Sequence, residues 1–419
     1  IIRAAIDQIN RHADTPIDAL SLPLNDPQAF RLSAPGQTAA VFQMESEGMR
    51  GAYIGLKPDH FEDIIALISL YRPGPMELIP EYVARKNGKA PEYLHAELAP
   101  ILNNTYGIIV YQEQVMQIAQ RLAGYTLGGA DLLRRAMGKK LGEEMAQQRS
   151  VFVEGAQRRG IEPAIAGQIC DRREKGAADG VNRSHAAAYA LVSYQTAWLK
   201  AHYPAEFMAA VLSAEMAHTD KIVPMLDECR RMNLAVLAPD INRSEYRFTV
   251  TPQGEILYGL GGLRGVGSSA VETVGEQREL GGPFKDIFDL CRRVDPRRAN
   301  RRVLEAYIRA GALDALGTSR PALMATLPRA IQLAEQTLAG DAAGQTDLFG
   351  LAAPSANEAA ATVTEDWSEY EKLAAEKEVL GLYLSGHPVE EFRDIIDQVC
   401  AGSFRQLIEA QSGAGVSGA

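Results

Sequence analysis

The sequence is poor in cysteine. Its four cysteines, Cys170, Cys229, Cys291 and Cys400, are scattered over 419 residues without a C-x-x-C pair. That spacing argues against both a zinc site and a disulfide framework, so no protein-held metal is expected, and it fits a reducing, cytoplasmic setting. Aromatics make up only 7% of the chain. No apolar run is long enough to cross a bilayer, and no signal-peptide layout opens the chain, so no membrane partner is expected. An excess of basic charge is also lacking. The net charge of −10 excludes nucleic-acid binding by bulk charge and leaves it to local patches. There is no initiating Met: the chain opens at Ile1 inside an amphipathic pattern (Ile2, Ala5, Ile6, Ile9), which reads as a piece of something longer.

What is present is a chain of ordinary globular composition, 46% apolar and 23% charged, long enough for two to four domains. Its centre is Tyr106 to Lys140, YGIIVYQEQVMQIAQRLAGYTLGGADLLRRAMGKK. A β-branched run at 108–110 precedes a helix with Val115, Ile118, Ala119 and Leu122 on one face. Gly128-Gly129 reads as a break. A second helix then ends in four cations within seven residues, Arg134, Arg135, Lys139 and Lys140. Asp131 can pair with Arg135 one turn later. The remaining charge suits a polyanion such as a triphosphate or a nucleic-acid backbone, although a solvated basic face has the same composition.

Upstream, a helical run HFEDIIALISLYRPGP is broken by Pro73 and Pro75, and the polar stretch 81–105 reads as a surface excursion. Downstream, CDRREKGAADGVNRSH leads into a long aromatic-rich helix. Asn182 or Ser184 is its N-cap, and Pro204 interrupts or restarts it. His185 in its first turn is a capping or packing residue, or an anion contact at the helix N-terminus.

From about 235 the pattern changes. LAVLAPDIN, YRFTV and GEILYGL read as short strands with a turn at Pro252-Gln253-Gly254. Arg264, Gly265, Gly267, Ser268 and Ser269 then form a helix–Gly-Val-Gly–helix arrangement. This has the look of a helix-hairpin-helix, which grips DNA phosphates through backbone N–H groups. A second such candidate, NRRVLEAYIRAGALDALG, follows a basic run: over 281–310 eight Lys/Arg face four Asp/Glu. Over 341–380 the balance reverses, with nine Asp/Glu against two Lys/Arg. Embedded there is GQTDLFG, whose Leu348-Phe349 pair either packs on the preceding helix or serves as a docking peptide.

Taken in order, AVFQMES, ALISLYRPGP, the Tyr106–Lys140 stretch, HAAAYALVSYQTAWLKAHYPAEFMAAVLSAEM, YGLGGLRGVG, QTDLFG and LGLYLSGHP resemble the bacterial DNA polymerase III alpha subunits, the C-family replicative polymerases. The resemblance covers essentially the whole chain. It implies a mainly α-helical multidomain protein with minor β: 1–50 the end of the palm and approach to the fingers, and 51–235 the fingers. After these come a tandem helix-hairpin-helix domain over 236–340, a linker with a clamp-binding peptide over 341–360, and a helical segment over 361–419 leading to an OB-fold.

The resemblance also implies roles. Arg134, Arg135, Lys139, Lys140, Asn182, Ser184 and His185 would meet the nucleotide. Arg264, Gly265, Gly267, Ser268 and Ser269 would meet DNA, and Gln345, Asp347, Leu348 and Phe349 the sliding clamp (the beta subunit). The implied partners are primer–template DNA, dNTP, the clamp and other polymerase III holoenzyme subunits. The implied cofactor is Mg2+, held by palm carboxylates that lie upstream of Ile1 in the family pattern, so no catalytic residue and no metal ligand is expected here and the chain alone should be inactive. Alternative readings are a non-catalytic DNA- and clamp-binding scaffold and an error-prone accessory polymerase of the same family.

One stretch departs from the pattern. Cys170, Arg172, Arg173, Gly176, Asp179 and Val181 stand in a segment that is aromatic and aliphatic in the family, and Arg183 replaces Lys. Arg at apolar core positions is expected to loosen the fingers by about 2–5 kcal/mol per site.

Overall fold

A computed structural model describes residues 1–33, 37–139, 142–177, 181–342 and 365–399. The chain divides into two compact units, Ile1–Met208 and Ala209–Ala419. Both are mainly helical, as expected.

In the first unit the helices are α1 (Ile2–Asn10), α2 (Pro27–Ser33), α3 (Glu47–Leu56), α4 (Phe61–Leu70), α5 (Ile79–Lys86), α6 (Ala99–Leu102), α7 (Gln112–Ala123), α8 (Leu127–Lys139), α9 (Gly142–Arg158), α10 (Pro163–Ala177) and α11 (Arg183–His202). Helix α11 packs against α2 and α4. Ala186, Ala190 and Ala197 are buried along it, and several of its polar side chains bond to backbone remote in sequence. Tyr194 donates to the Pro23 carbonyl at 2.6 Å and accepts the Asp26 N–H at 3.0 Å. The buried Lys200 ammonium donates to the carbonyls of Gln37 and Ala39. A second core lies among α6 to α10. Val115, Ile118, Ala119 and Leu122, the predicted stripe of α7, meet Leu133 and Met137 of α8 and Phe152 of α9 there.

Two expectations in this unit are corrected. Helix α7 does not run to Gly128-Gly129: it ends at Gly124, whose φ of +71° is the left-handed cap that glycine adopts without strain. Gly128 and Gly129 sit in the first turn of α8, where Thr126 Oγ1 accepts the Gly129 N–H at 3.1 Å. The stretch 81–105 is a surface excursion only in part: 87–92 are exposed, but other residues enter the core. Tyr82, Arg85, Leu98 and Leu102 are all buried, and Arg85 is accommodated by Glu81 and the Tyr106 carbonyl.

Helix α12 (Pro204–Glu215) restarts at Pro204, and the division between the units falls within it. The second unit continues with α13 (Thr219–Arg231) and three short strands, β1 (Val236–Leu237), β2 (Thr249–Val250) and β3 (Ile256–Leu257). These are the strands read from the sequence, in the order β1-β3-β2. The β1–β3 pair is parallel (Val236 opposite Ile256) and β2–β3 antiparallel (Val250 opposite Ile256). Then come α14 (Ser268–Gly281), α15 (Ile287–Arg293), α16 (Arg301–Arg309), α17 (Arg320–Ala342), α18 (Glu369–Leu380) and α19 (Arg393–Val399). Helix α17 packs on α15 and α16, and α18 on α16. The buried Glu376 of α18 ties the following turn: it accepts from Arg320 Nη1 at 3.4 Å, from Ser385 Oγ at 2.9 Å and from the Ser385 N–H at 3.1 Å.

Candidate functional site

In the first unit the start of α7 links α8 on one side to the segment that leads into α11 on the other. Asp131 is the pivot of α8. Its Oδ1 lies 2.8 Å from Arg134 Nη2 and its Oδ2 2.8 Å from Arg135 Nε, so it pairs with both arginines rather than with Arg135 alone. The Arg134 hydrogen bond comes first among the causes that lower the Asp131 carboxyl below its ordinary value. Arg134 also donates from Nη1 to Gln112 Oε1 at 3.2 Å. The Gln112 N–H in turn donates to the Val181 carbonyl at 3.2 Å, and Tyr111 forms a parallel bridge with Val181. Two segments seventy residues apart in sequence are thereby seated side by side.

Asn182 is the N-cap of α11: its Oδ1 accepts the His185 N–H at 2.9 Å, which decides between the two capping residues read from the sequence. Ser184 and His185 are exposed in the first turn. The His185 ring meets Tyr189 edge-on at 4.7 Å, and Tyr189 stacks on Phe42 at 5.9 Å. Arg183 is fastened: its N–H donates to the Glu113 carboxylate, its Nη2 lies 2.6 Å from Glu62 Oε1, and its guanidinium lies 5.9 Å from the Tyr111 ring centroid.

Arg134 is therefore half-exposed and oriented by two neighbours, while Arg135 is more open. Lys139 closes α8, but its side chain and all of Lys140 lie outside the described residues. Gln112, Glu62 and Glu113 were missed by the sequence reading. Their partners are remote in sequence, so no local pattern marks them.

The atypical stretch behaves differently from expectation where it is described. Cys170 and Val181 are buried and act as small apolar core residues. Arg172 takes no core position: it is exposed and donates to the Glu92 carbonyl at 3.4 Å. Its predicted burial cost does not arise. Gly176 lies within α10, while the side chain of Arg173 and all of Asp179 lie outside the described residues.

In the second unit the Gly265-Val266-Gly267 turn joins a single 3-10 turn (Leu260–Gly262), not a full helix, to α14. Gly265 has φ +82°, a conformation that a side chain would strain. Gly267 is the N-cap of α14, and Ser268 and Ser269 are exposed in its first turn. A helix start carries N–H groups without helical acceptors and the positive end of the dipole, which suits a phosphate.

Arg264 is engaged within the protein: its N–H donates to the Val379 carbonyl at 2.8 Å, and its guanidinium reaches Glu378 O and Thr219 Oγ1. The basic run is partly internal as well. Arg298 is held by Glu272 at 3.1 Å, Glu276 at 2.8 Å and Ser269, whereas Arg297 and Arg302 are exposed. The second hairpin is carried by α16, whose Asn300 cap accepts the Val303 N–H at 3.3 Å and which is capped at Ala310, ahead of the left-handed Gly311. Gln345, Asp347, Leu348 and Phe349 lie outside the described residues.

These features define a class: a helical unit with a cation-bearing helix beside a capped helix start, and a second unit with hairpins of the helix-hairpin-helix kind. Residues 1–160 match the bacterial DNA polymerase III alpha subunit finger domain, and residues 233–323 match the helix-hairpin-helix motif. The chain is 50% identical to the DNA polymerase III subunit alpha of Pasteurella multocida over 427 aligned residues, 99% of this chain and 37% of that protein. It is 49% identical to that of Escherichia coli K12, over 96% of this chain and 36% of the relative. It is 50% identical to that of Pseudomonas aeruginosa, over 94% and 36%. The chain belongs to the DNA polymerase III alpha subunit family and spans a little over a third of the length of these relatives.

Proposed function

We propose that the chain supplies the nucleotide-binding fingers, the duplex-DNA grip and the clamp attachment of a replicative DNA-directed DNA polymerase. The reaction is template-directed nucleotidyl transfer from a dNTP to a primer 3′-hydroxyl. Arg134 and Arg135 meet the triphosphate, together with Lys139, Lys140 and Asn182, Ser184 and His185 at the start of α11. Charge builds on the β- and γ-phosphates as pyrophosphate leaves, and guanidinium groups stabilise it through paired N–H donors.

The observation that carries the reading is the placement of Arg134. Its hydrogen bonds to Asp131 and Gln112 fix the guanidinium beside the segment that leads into Asn182. Held this way, the group loses little freedom on meeting a ligand.

The start of α14, with Gly265, Gly267, Ser268 and Ser269, grips the DNA backbone without reading sequence, and Arg264 braces that turn from behind. Gln345, Asp347, Leu348 and Phe349 dock in a pocket of the sliding clamp, with Leu348 and Phe349 as the apolar anchors. Further holoenzyme subunits join through the remainder of the polymerase.

Magnesium is the metal this chemistry uses. Among the described residues, the acidic group nearest to a ligand set is Asp59, His60 and Asp63, and it does not fit that ion. The Lys86 ammonium lies 2.5 Å from Asp59 and 2.7 Å from Asp63, so a cation of the protein already stands between the two carboxylates, and a hard cation seeks oxygen ligands rather than imidazole. No metal step is assigned to these residues.

The test is titration of the chain with a fluorescent dATP analogue. Binding that is lost in Arg134→Ala, with primer–template affinity retained, supports the reading; equal binding by the variant overturns it.

A further inference from the structure

The segment after α2 is laid along one face of α11. Lys200 Nζ donates to the carbonyls of Gln37 at 2.9 Å and Ala39 at 2.8 Å, and one turn earlier Thr196 Oγ1 accepts the Phe42 N–H at 3.1 Å. Two turns earlier again, the Tyr189 ring stacks on the Phe42 ring, with centroids 5.9 Å apart and planes 22° apart. His185, a further turn back, meets Tyr189 edge-on at 4.7 Å. His185, Tyr189, Thr196 and Lys200 recur at the spacing of one helix face. Three rings therefore stand in a row that ends in the first turn of α11.

The segment is built to hold Phe42 outward. Its neighbours Val41 and Met44 are buried, whereas Phe42 is 38% and Tyr189 36% exposed. Six other phenylalanines are buried, so an exposed one is not the habit of this chain. Ala40 at φ +62° and Gln43 at φ +58° take the left-handed conformation without being glycine. Such residues are strained and persist only where the surroundings fix them. Here the ties to Lys200 and Thr196 do so, together with the Ala40 N–H, which donates to Glu45 Oε1 at 2.9 Å.

The row's position and chemistry narrow its occupant. It begins at the helix start assigned above to the nucleotide, and α11 carries Tyr189 only about 6 Å further along its axis than His185, at the usual rise per residue. That offset lies within the span of one nucleotide. Phe42 and Tyr189 offer uncharged ring surface, which suits a flat heterocycle and does not distinguish one base from another by hydrogen bonds. We propose that Phe42 and Tyr189 form the platform on which the base of the bound dNTP stacks, adding affinity for a base without selecting which base. The proposal rests on the nucleotide reading of Arg134 and the α11 start.

The test is calorimetric titration of the chain with dATP, dCTP and inorganic tripolyphosphate, which carries the charge without a base. Phe42→Leu and Tyr189→Leu are each expected to weaken dATP about tenfold and to leave tripolyphosphate unchanged. Tyr189→Phe, which keeps the ring, is expected to bind dATP as the native chain does. In the native chain dATP should bind more tightly than dCTP, because the larger base covers more ring, and the gap should narrow in Phe42→Leu. Melting temperatures of the variants are read alongside.

Native dATP affinity in both leucine variants overturns the platform. The same affinity with a lowered melting temperature assigns the rings to packing, against this chain or another part of the polymerase, and overturns it equally. Parallel loss of dATP and tripolyphosphate shows damage to the phosphate site and gives the rings no part in holding a base. A native chain that binds neither ligand overturns the nucleotide reading and the platform with it. A native chain that binds both, with leucine variants that match it, removes the platform alone.

Discussion

Gln112 Oε1 accepts from Arg134 Nη1 at 3.2 Å while the Gln112 N–H donates to the Val181 carbonyl at 3.2 Å. One residue thus joins the cation of α8 to the strand-like segment before α11. Gln112→Leu removes the first bond and keeps the second. It is expected to weaken dATP-analogue binding less than Arg134→Ala does, because the cation remains but is less well oriented. Arg134→Ala itself is expected to cost about 1.5–3 kcal/mol, tenfold or more in affinity, as for a charged hydrogen bond. Fluorescence titration of both variants checks the ranking.

Lys86 and Asp63 form a buried ion pair, with side chains 8% and 3% exposed. Lys86→Met leaves the Asp63 charge without its partner. The expected loss is about 3–5 kcal/mol, read as a lower denaturant midpoint. Replacement of exposed Asp59, which meets the same ammonium from the solvent side, should cost much less.

The same cluster sets an acid dependence. The hydrogen bond from Lys86 is the first cause holding the Asp59 carboxyl below its ordinary 3.8. A depressed carboxylate stabilises the fold fully above its unfolded value, and the contribution fades as pH falls through the folded one. The native chain is therefore expected to lose melting temperature below about pH 4 by more than Asp59→Asn does. Parallel acid profiles of the two would show the carboxylate to be uncoupled.

Arg302 and Arg298 should separate by their surroundings. Exposed Arg302 is expected to contribute to phosphate binding, so Arg302→Ala lowers the salt slope of DNA affinity by about one without changing the melting temperature. Arg298, held by Glu272, Glu276 and Ser269, is structural, and Arg298→Ala should lower the melting temperature instead. DNA of different sequence should bind alike throughout.

The clamp peptide makes a separate prediction. Leu348→Ala with Phe349→Ala is expected to abolish association with the sliding clamp in a pull-down while DNA affinity stays as it was. Retained clamp binding would remove the peptide from the proposal.

Much of this was legible in the sequence because its causes are local. The α7 stripe, the Asn182 cap, the Pro204 restart and the Pro252-Gln253-Gly254 turn each follow from residues within a turn or two of one another. The family blocks identified the assembly for the same reason, as contiguous strings. Where local rules compete, the reading failed. Gly128-Gly129 resembled a break, yet a first helical turn tolerates glycine, and the stop lies at Gly124 where the backbone turns left-handed. Polar residues at 81–105 resembled a surface, yet Arg85 is buried because Glu81 and the Tyr106 carbonyl satisfy it.

The sequence by itself thus determined the helical class, the strand turn, the family and which helix carries the cations. Only the tertiary structure decided which cations are committed: Arg183 to Glu62 and Glu113, Arg264 to the end of α18, Arg298 to α14, with Arg134 steadied by Gln112. The physical reason is that a charge's state depends on what lies within a few ångströms, and those neighbours come from segments that only folding brings together.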